Sequence, residues 1–198
     1  MSGQSRMPLA EAVAVVRDTR RDSDVVISSM GTAREWMELG PPSDRDFVFV
    51  PSAMGHATSL GLGIALAQPQ RRVIVLSGDG SLLMSLGSLV TIAAAAPPNL
   101  TVVLFDNGVY EVTGAQPTPG ALIPSAVDFA AIARASGLTS AYRWSAIDDW
   151  RRGAAGAIEE PGPTLVVLDV APVPGAVGPR SPGPTVERTR RFVAALRE

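Results

Sequence analysis

The sequence predicts a doubly wound α/β fold, a mainly parallel sheet with helices on both faces, and three observations point to it. Short, continuous apolar runs rich in β-branched residues recur at 25–28, 47–50, 73–77, 100–105 and 164–170. Segments with helical spacing alternate with these runs through short turns, the pattern of parallel strands buried on both faces and joined by right-handed crossovers. The composition, 46% hydrophobic and 18% charged, suits such a doubly covered interior. At 198 residues the expectation is a single domain spanning 1–198, with a Pro/Gly-rich tail at 171–184 and a closing helix at 185–197.

Taken in order, residues 7–19 place Leu9, Val13, Val15 and Val16 on one helical face, with Glu11 early and Arg17 late to suit the helix dipole. A strand at 25–28 then runs through the turn Ser29-Met30-Gly31-Thr32 into a helix at 33–39. Gly40-Pro41-Pro42 ends that helix before the strand at 47–50. A helix from 56 to 68 carries Gly61 and Gly63, which let it approach a strand closely at a cost in helix propensity. The strand at 73–77 leads into a helix at 81–96, stopped by Pro97-Pro98, and the strand at 100–105 follows. Residues 108–124 show no period, and so long a loop in a compact domain points to function. Helices at 127–136 and 146–158 flank a weak strand at 140–144, and the strand at 164–170 precedes the tail.

Composition removes several chemistries. With no cysteine there is neither a thiolate nucleophile nor a zinc-thiolate site. All 17 basic residues are arginine, so a Schiff-base or P-loop lysine is absent, and His56 alone cannot build a multi-histidine metal centre. A net charge of -2 gives no reason to expect nucleic acid. No signal peptide or membrane-length run is evident, so a cytoplasmic protein is expected. The turn Met30-Gly31-Thr32-Ala33 lacks the GxGxxG of a nicotinamide-binding fold.

In an open parallel sheet, ligands bind beyond the strand C-termini, where Gly31, Met54, Asp79 and Asn107 all fall. Gly78-Asp79-Gly80-Ser81 sits at a strand-to-helix turn whose free N–H groups and dipole favour a diphosphate. Asp79 there offers Mg²⁺ a hard oxygen. A lone Gly-Asp-Gly is more often an ordinary turn with a capping aspartate. Asn107 shifts that balance, because the 26 residues at 81–106 suffice for one helix and one strand returning to the same rim.

Glycine-aspartate-glycine followed at this distance by asparagine resembles the thiamine diphosphate-dependent enzymes, in their diphosphate-binding (PP) domain. The resemblance implies that Asp79, the Asn107 side chain and the Val109 carbonyl ligate Mg²⁺. It also implies that Gly78, Gly80, Ser81, Asn107 and Tyr110 contact the cofactor, with Gly31 and Thr32 forming a second diphosphate-contacting turn. In the segment Ser52-Ala53-Met54-Gly55, the Ser52 carbonyl would accept from the pyrimidine 4'-amino group and Met54 would be the wedge that bends the cofactor. Without that context Met54 reads as a core methionine.

Within this superfamily the sequence is similar to the sulfopyruvate and phosphonopyruvate decarboxylases, in particular their β-type subunit. The segments SAMGHATSLGLGIAL at 52–66, GDGSLLMSLGSLVTI at 78–92 and DNGVYEVTGAQPT at 106–118 carry the similarity. Where that family commonly reads STGGQ, this chain has Val112-Thr113-Gly114-Ala115-Gln116. His56 and Thr113 would meet the substrate, with Met54 counted among the catalytic residues. His56 could equally be structural at a helix start, and Thr113 and Gln116 simply polar loop residues. Arg180 is a candidate for an anionic substrate group, although tail arginines are usually solvated.

The resemblance implies decarboxylation of a 2-oxo acid to an aldehyde, with the cofactor as electron sink. It also implies a partner: a separate pyrimidine-binding (PYR) α subunit supplying the catalytic glutamate across a hetero-oligomer interface. Two other readings stay open, a carboligase subunit of the acetolactate-synthase kind and a non-catalytic cofactor-binding subunit.

Overall fold

Six strands pair in parallel into one sheet, seen in a computed structural model that describes residues 6–51, 53–122 and 127–198. Helix α1 (Leu9–Thr19) precedes strand β1 (Val25–Ser29), which passes without a loop into α2 (Met30–Glu38). Then come β2 (Asp46–Phe49), α3 (Ala57–Ala67), β3 (Val73–Gly78), α4 (Asp79–Leu83), α5 (Ser88–Ala95) and β4 (Leu100–Asp106). A hairpin of β5 (Val109–Tyr110) and β6 (Gln116–Pro117) encloses a 3-10 turn, Glu111–Thr113. It is followed by α6 (Pro119–Leu122), α7 (Phe129–Ala135), β7 (Ser140–Trp144), α8 (Ile147–Glu159), β8 (Thr164–Asp169) and α9 (Thr185–Ala195).

The sheet order is β2-β1-β3-β4-β8-β7, so the doubly wound arrangement expected from the sequence is the one observed. Successive side chains of each strand point to opposite faces. Val26, Ile74, Leu76, Val103 and Val166 therefore pack under α1, α2 and α8, while Ile27, Val73, Val75, Val102 and Leu165 pack under α3, α5 and α7. Two indoles are buried whole, and each has its N–H satisfied: Trp36 by the Asp46 carboxylate at 3.2 Å, Trp150 by the Ala12 carbonyl at 3.1 Å. Gly61 of α3 lies so close to β3 that an added Cβ would stand 2.2 Å from Val75 Cγ2, the close approach its sequence predicts.

Three boundaries differ from the sequence reading in ways that matter for the site. The single helix expected at 81–96 is broken into α4 and α5. Gly87 caps α5, and the Ser85 hydroxyl bonds the Gly55 carbonyl across the fold, so residues 84–87 form a turn. The helix at 33–39 begins earlier, at Met30 with φ 54°, which brings Gly31 and Thr32 into its first turn. Finally, the stretch 108–124 is not structureless, because β5 and β6 pair across it. The Pro/Gly-rich tail at 171–184 carries no helix or strand. Among the described residues, no helix is long and apolar enough to cross a membrane.

Candidate functional site

The C-terminal ends of β3 and β4 lie side by side, with Gly78 in register with Phe105, so Asp79 and Asp106 leave the sheet together. Asp79 is buried and accepts hydrogen bonds from the Thr118 hydroxyl at 3.0 Å and from the backbone N–H groups of Gly80 and Asn107. Burial, helped by the Asp106 charge, nevertheless pushes its carboxyl up to about 6, with the three hydrogen bonds pulling the other way. A carboxylate so placed is costly as a bare anion and well suited to a cation. Asp106 is also raised, chiefly by burial, and Arg143 ties it to Asp169 at the ends of β4 and β8.

Asn107 is fixed from several sides. Its Oδ1 accepts the Val109 N–H at 3.0 Å, its carbonyl accepts Arg6 Nη1 at 2.9 Å, and its Nδ2 donates to Glu111 Oε1 at 3.4 Å. One Oδ1 lone pair is left for a ligand. No group of three or more His, Cys, Asp or Glu among the described residues stands ready to hold a metal. A cation here would share Asp79 and Asn107 and draw its remaining oxygens from elsewhere, which is how Mg²⁺ sits between a protein and a phosphate.

The two glycines that flank Asp79 have different surroundings. An added Cβ on Gly78 would meet nothing within 4 Å, whereas on Gly80 it would stand 2.6 Å from the Tyr110 ring. Gly80 thus lets Tyr110 lie against the turn. Because α4 has only five residues, phosphate binding at this turn would rest on the N–H groups themselves more than on a helix dipole.

Gly31, Thr32, Met54, Gly78, Asp79, Gly80, Ser81, Asn107, Val109, Tyr110 and Thr113 all line a single cavity. The sequence-predicted residues therefore converge almost completely. The Thr32 hydroxyl is already engaged, 2.8 Å from the Ser29 carbonyl and 3.0 Å from that of Leu76. Ser81 Oγ accepts the Gly55 N–H at 2.9 Å, and with Ser85 on the Gly55 carbonyl the residue next to Met54 is held at both of its backbone polar groups. His56 is exposed at the start of α3, its Nδ1 3.1 Å from the Met54 carbonyl, and does not line the cavity. Gln116 bonds back to Thr113 within the hairpin, and Arg180 lies exposed in the tail. Ser52 lies outside the described residues.

The sequence reading missed Thr118, Ser85, Arg34 and Glu111. Thr118 reaches Asp79 from 39 residues away through the hairpin, a separation that no local pattern encodes. Glu111 lies inside the quoted motif, and a lone acidic residue in a polar loop gave no sign that it would be buried.

The fold and the paired Asp79 and Asn107 define a class, an α/β domain that presents a buried carboxylate and an amide oxygen side by side at the rim of a parallel sheet. The family of the thiamine pyrophosphate enzymes, C-terminal TPP binding domain, matches residues 24–168, and the chain belongs to it. A phosphonopyruvate decarboxylase of Streptomyces viridochromogenes is 39% identical over 93% of this chain and 46% of its own length. The sulfopyruvate decarboxylase subunit beta of Methanothermobacter thermautotrophicus is 44% identical over 59% of this chain and 60% of its own. The chain thus spans less than two thirds of either relative. Among solved structures, a thiamine diphosphate-dependent 4-hydroxybenzoylformate decarboxylase from Rhodococcus jostii RHA1 superposes with a TM-score of 0.71. That match covers 86% of this chain and 34% of the other, and at 23% identity it speaks for the fold alone.

Proposed function

We propose that this chain is the magnesium- and diphosphate-holding part of a cytoplasmic thiamine diphosphate-dependent decarboxylase. Its substrates would be 3-phosphonopyruvate- or 3-sulfopyruvate-like 2-oxo acids, released as an aldehyde and CO₂. The observation that carries this reading is the convergence of Asp79 and Asn107 on one cavity at adjacent strand ends, in a chain of this family. The names of the relatives support the substrate class, and the relative that is itself a subunit beta supports a separate PYR-domain α subunit.

Bound thiamine diphosphate would supply the electron sink for loss of CO₂. Asp79, Asn107 Oδ1 and the Val109 carbonyl would hold Mg²⁺. The backbone at Gly78, Gly80 and Ser81 and the turn at Gly31 and Thr32 would take the diphosphate. Met54, on its clamped loop, would press the pyrimidine ring into place, and the Ser52 carbonyl would accept its amino group. Tyr110 would close the diphosphate side, while Thr113 at the cavity would face the substrate, as would His56, two residues beyond Met54, once substrate and partner are in place.

The test measures aldehyde and CO₂ from 3-phosphonopyruvate, 3-sulfopyruvate and pyruvate, with the chain alone and with its PYR-domain subunit. Decarboxylation that needs Mg²⁺, thiamine diphosphate and both chains is the expected result. Turnover by the single chain would remove the partner, an acetolactate-type product would make it a carboligase, and cofactor binding without product would leave a non-catalytic subunit.

A further inference from the structure

Glu111 lines the cavity, and the functions assigned above make no use of it. It opens the 3-10 turn of the hairpin with its side chain only 7% exposed. A buried carboxylate is tolerated only where it is paired and hydrogen-bonded, and the partners of this one come from α2, from the tail and from Asn107, four residues before it. Oε2 receives Arg34 Nη2 of α2 at 3.2 Å. Oε1 receives the Val173 N–H of the tail at 2.7 Å and Asn107 Nδ2 at 3.4 Å. Arg34 also reaches the Val177 carbonyl at 3.4 Å, so one ion pair holds the tail at two points. Gly31 makes room for it, because a Cβ there would stand 2.7 Å from Glu111 Oε2.

These contacts fix the sense of the Asn107 amide. With Nδ2 toward Glu111 and Oδ1 toward the Val109 N–H, each of the two contacts pairs a donor with an acceptor. A flipped amide would set its oxygen against the carboxylate and its NH₂ against an N–H, losing both bonds.

We propose that Glu111 is a positioning residue, holding the Asn107 oxygen in its metal-binding sense and fastening residues 173–177 to the same point, so that metal affinity and tail order are linked. The metal half of this inference rests on the function proposed above, and the tail half stands without it. Linkage is reciprocal, so whatever tightens one must tighten the other.

Trypsin reads the tail directly, since the chain has no lysine and Arg180 is exposed within the tail. Glu111→Ala should speed the cut after Arg180 about tenfold, the factor expected for the loss of one or two hydrogen bonds. Mg²⁺ with thiamine diphosphate should slow that cut in the wild type and not in the variant. Calorimetry on the complex should show the Mg²⁺ needed for half-saturation rising about tenfold, while cofactor affinity at saturating Mg²⁺ stays close to wild type. A structural role alone would weaken both affinities in proportion, and that result would overturn the proposal. So would a cutting rate within about twofold of wild type. If Glu111→Ala fails to fold, Glu111→Leu, which fills the same space and accepts none of the three hydrogen bonds, is read in the same way. A wild type that binds no thiamine diphosphate would remove the proposed function, and the Arg180 cut would still decide whether Glu111 fastens the tail.

Discussion

Replacing Asp79 with asparagine should stabilise the metal-free protein at neutral pH while ending its response to Mg²⁺. The Asp79 carboxyl is raised from 3.8 to about 6, so between those values the folded chain holds a proton that the unfolded chain has lost. Stability then falls as pH rises through that window, and the loss persists in full above it. Roughly 2 pKa units correspond to about 3 kcal/mol. Asparagine removes that cost, keeps an acceptor for two of the three donors, and mismatches the third at about 1 kcal/mol. The net gain at pH 7.5 is about 2 kcal/mol, a rise in Tm of about 4–8 °C for a chain of this size. Near pH 4 the carboxyl is largely neutral and the gain should vanish or reverse. Thermal unfolding followed by circular dichroism without Mg²⁺, at several pH values from 4 to 7.5, measures this for both proteins. A variant less stable than wild type at pH 7.5, or a difference that does not change with pH, would refute the reasoning.

Two glycines of α3 should respond oppositely to alanine. Gly61→Ala forces a methyl to 2.2 Å from Val75 and should cost about 1–3 kcal/mol in chemical denaturation, whereas Gly63→Ala meets nothing within 4 Å and should gain about 0.5–1 kcal/mol. Thr118→Val removes a donor that lowers the Asp79 carboxyl, so that carboxyl should rise further and Mg²⁺ affinity near pH 6 should fall by about threefold to tenfold in calorimetry. Met54→Ala should leave cofactor binding by the assembled enzyme largely intact and lower turnover in steady-state assays; a proportional loss of both would mark Met54 as packing only.

The residues explain why the sheet was legible and parts of the site were not. Val73, Ile74, Val75 and Leu76 are apolar because β3 is covered on both faces, and that run survives in any sequence-level reading. Asp79 and Asn107 were visible because the strand ends that carry them are separated by one crossover. The break between α4 and α5 was hidden, since Ser85 looks ordinary in a helix until its hydroxyl is seen on the Gly55 carbonyl. Thr118 and Glu111 were hidden for a similar reason. Their roles depend on how the β5–β6 hairpin folds back over Asp79 and Asn107, and two-residue strands leave almost no periodic trace.

The most direct test of the proposed metal-diphosphate site is a calorimetric titration of thiamine diphosphate into the wild-type chain assembled with its PYR-domain subunit, with Mg²⁺ present and with Mg²⁺ removed by chelator. Binding that requires Mg²⁺ and is lost in Asp79→Asn is the predicted result. Equal affinity with and without Mg²⁺, or an unchanged affinity in Asp79→Asn, would contradict it.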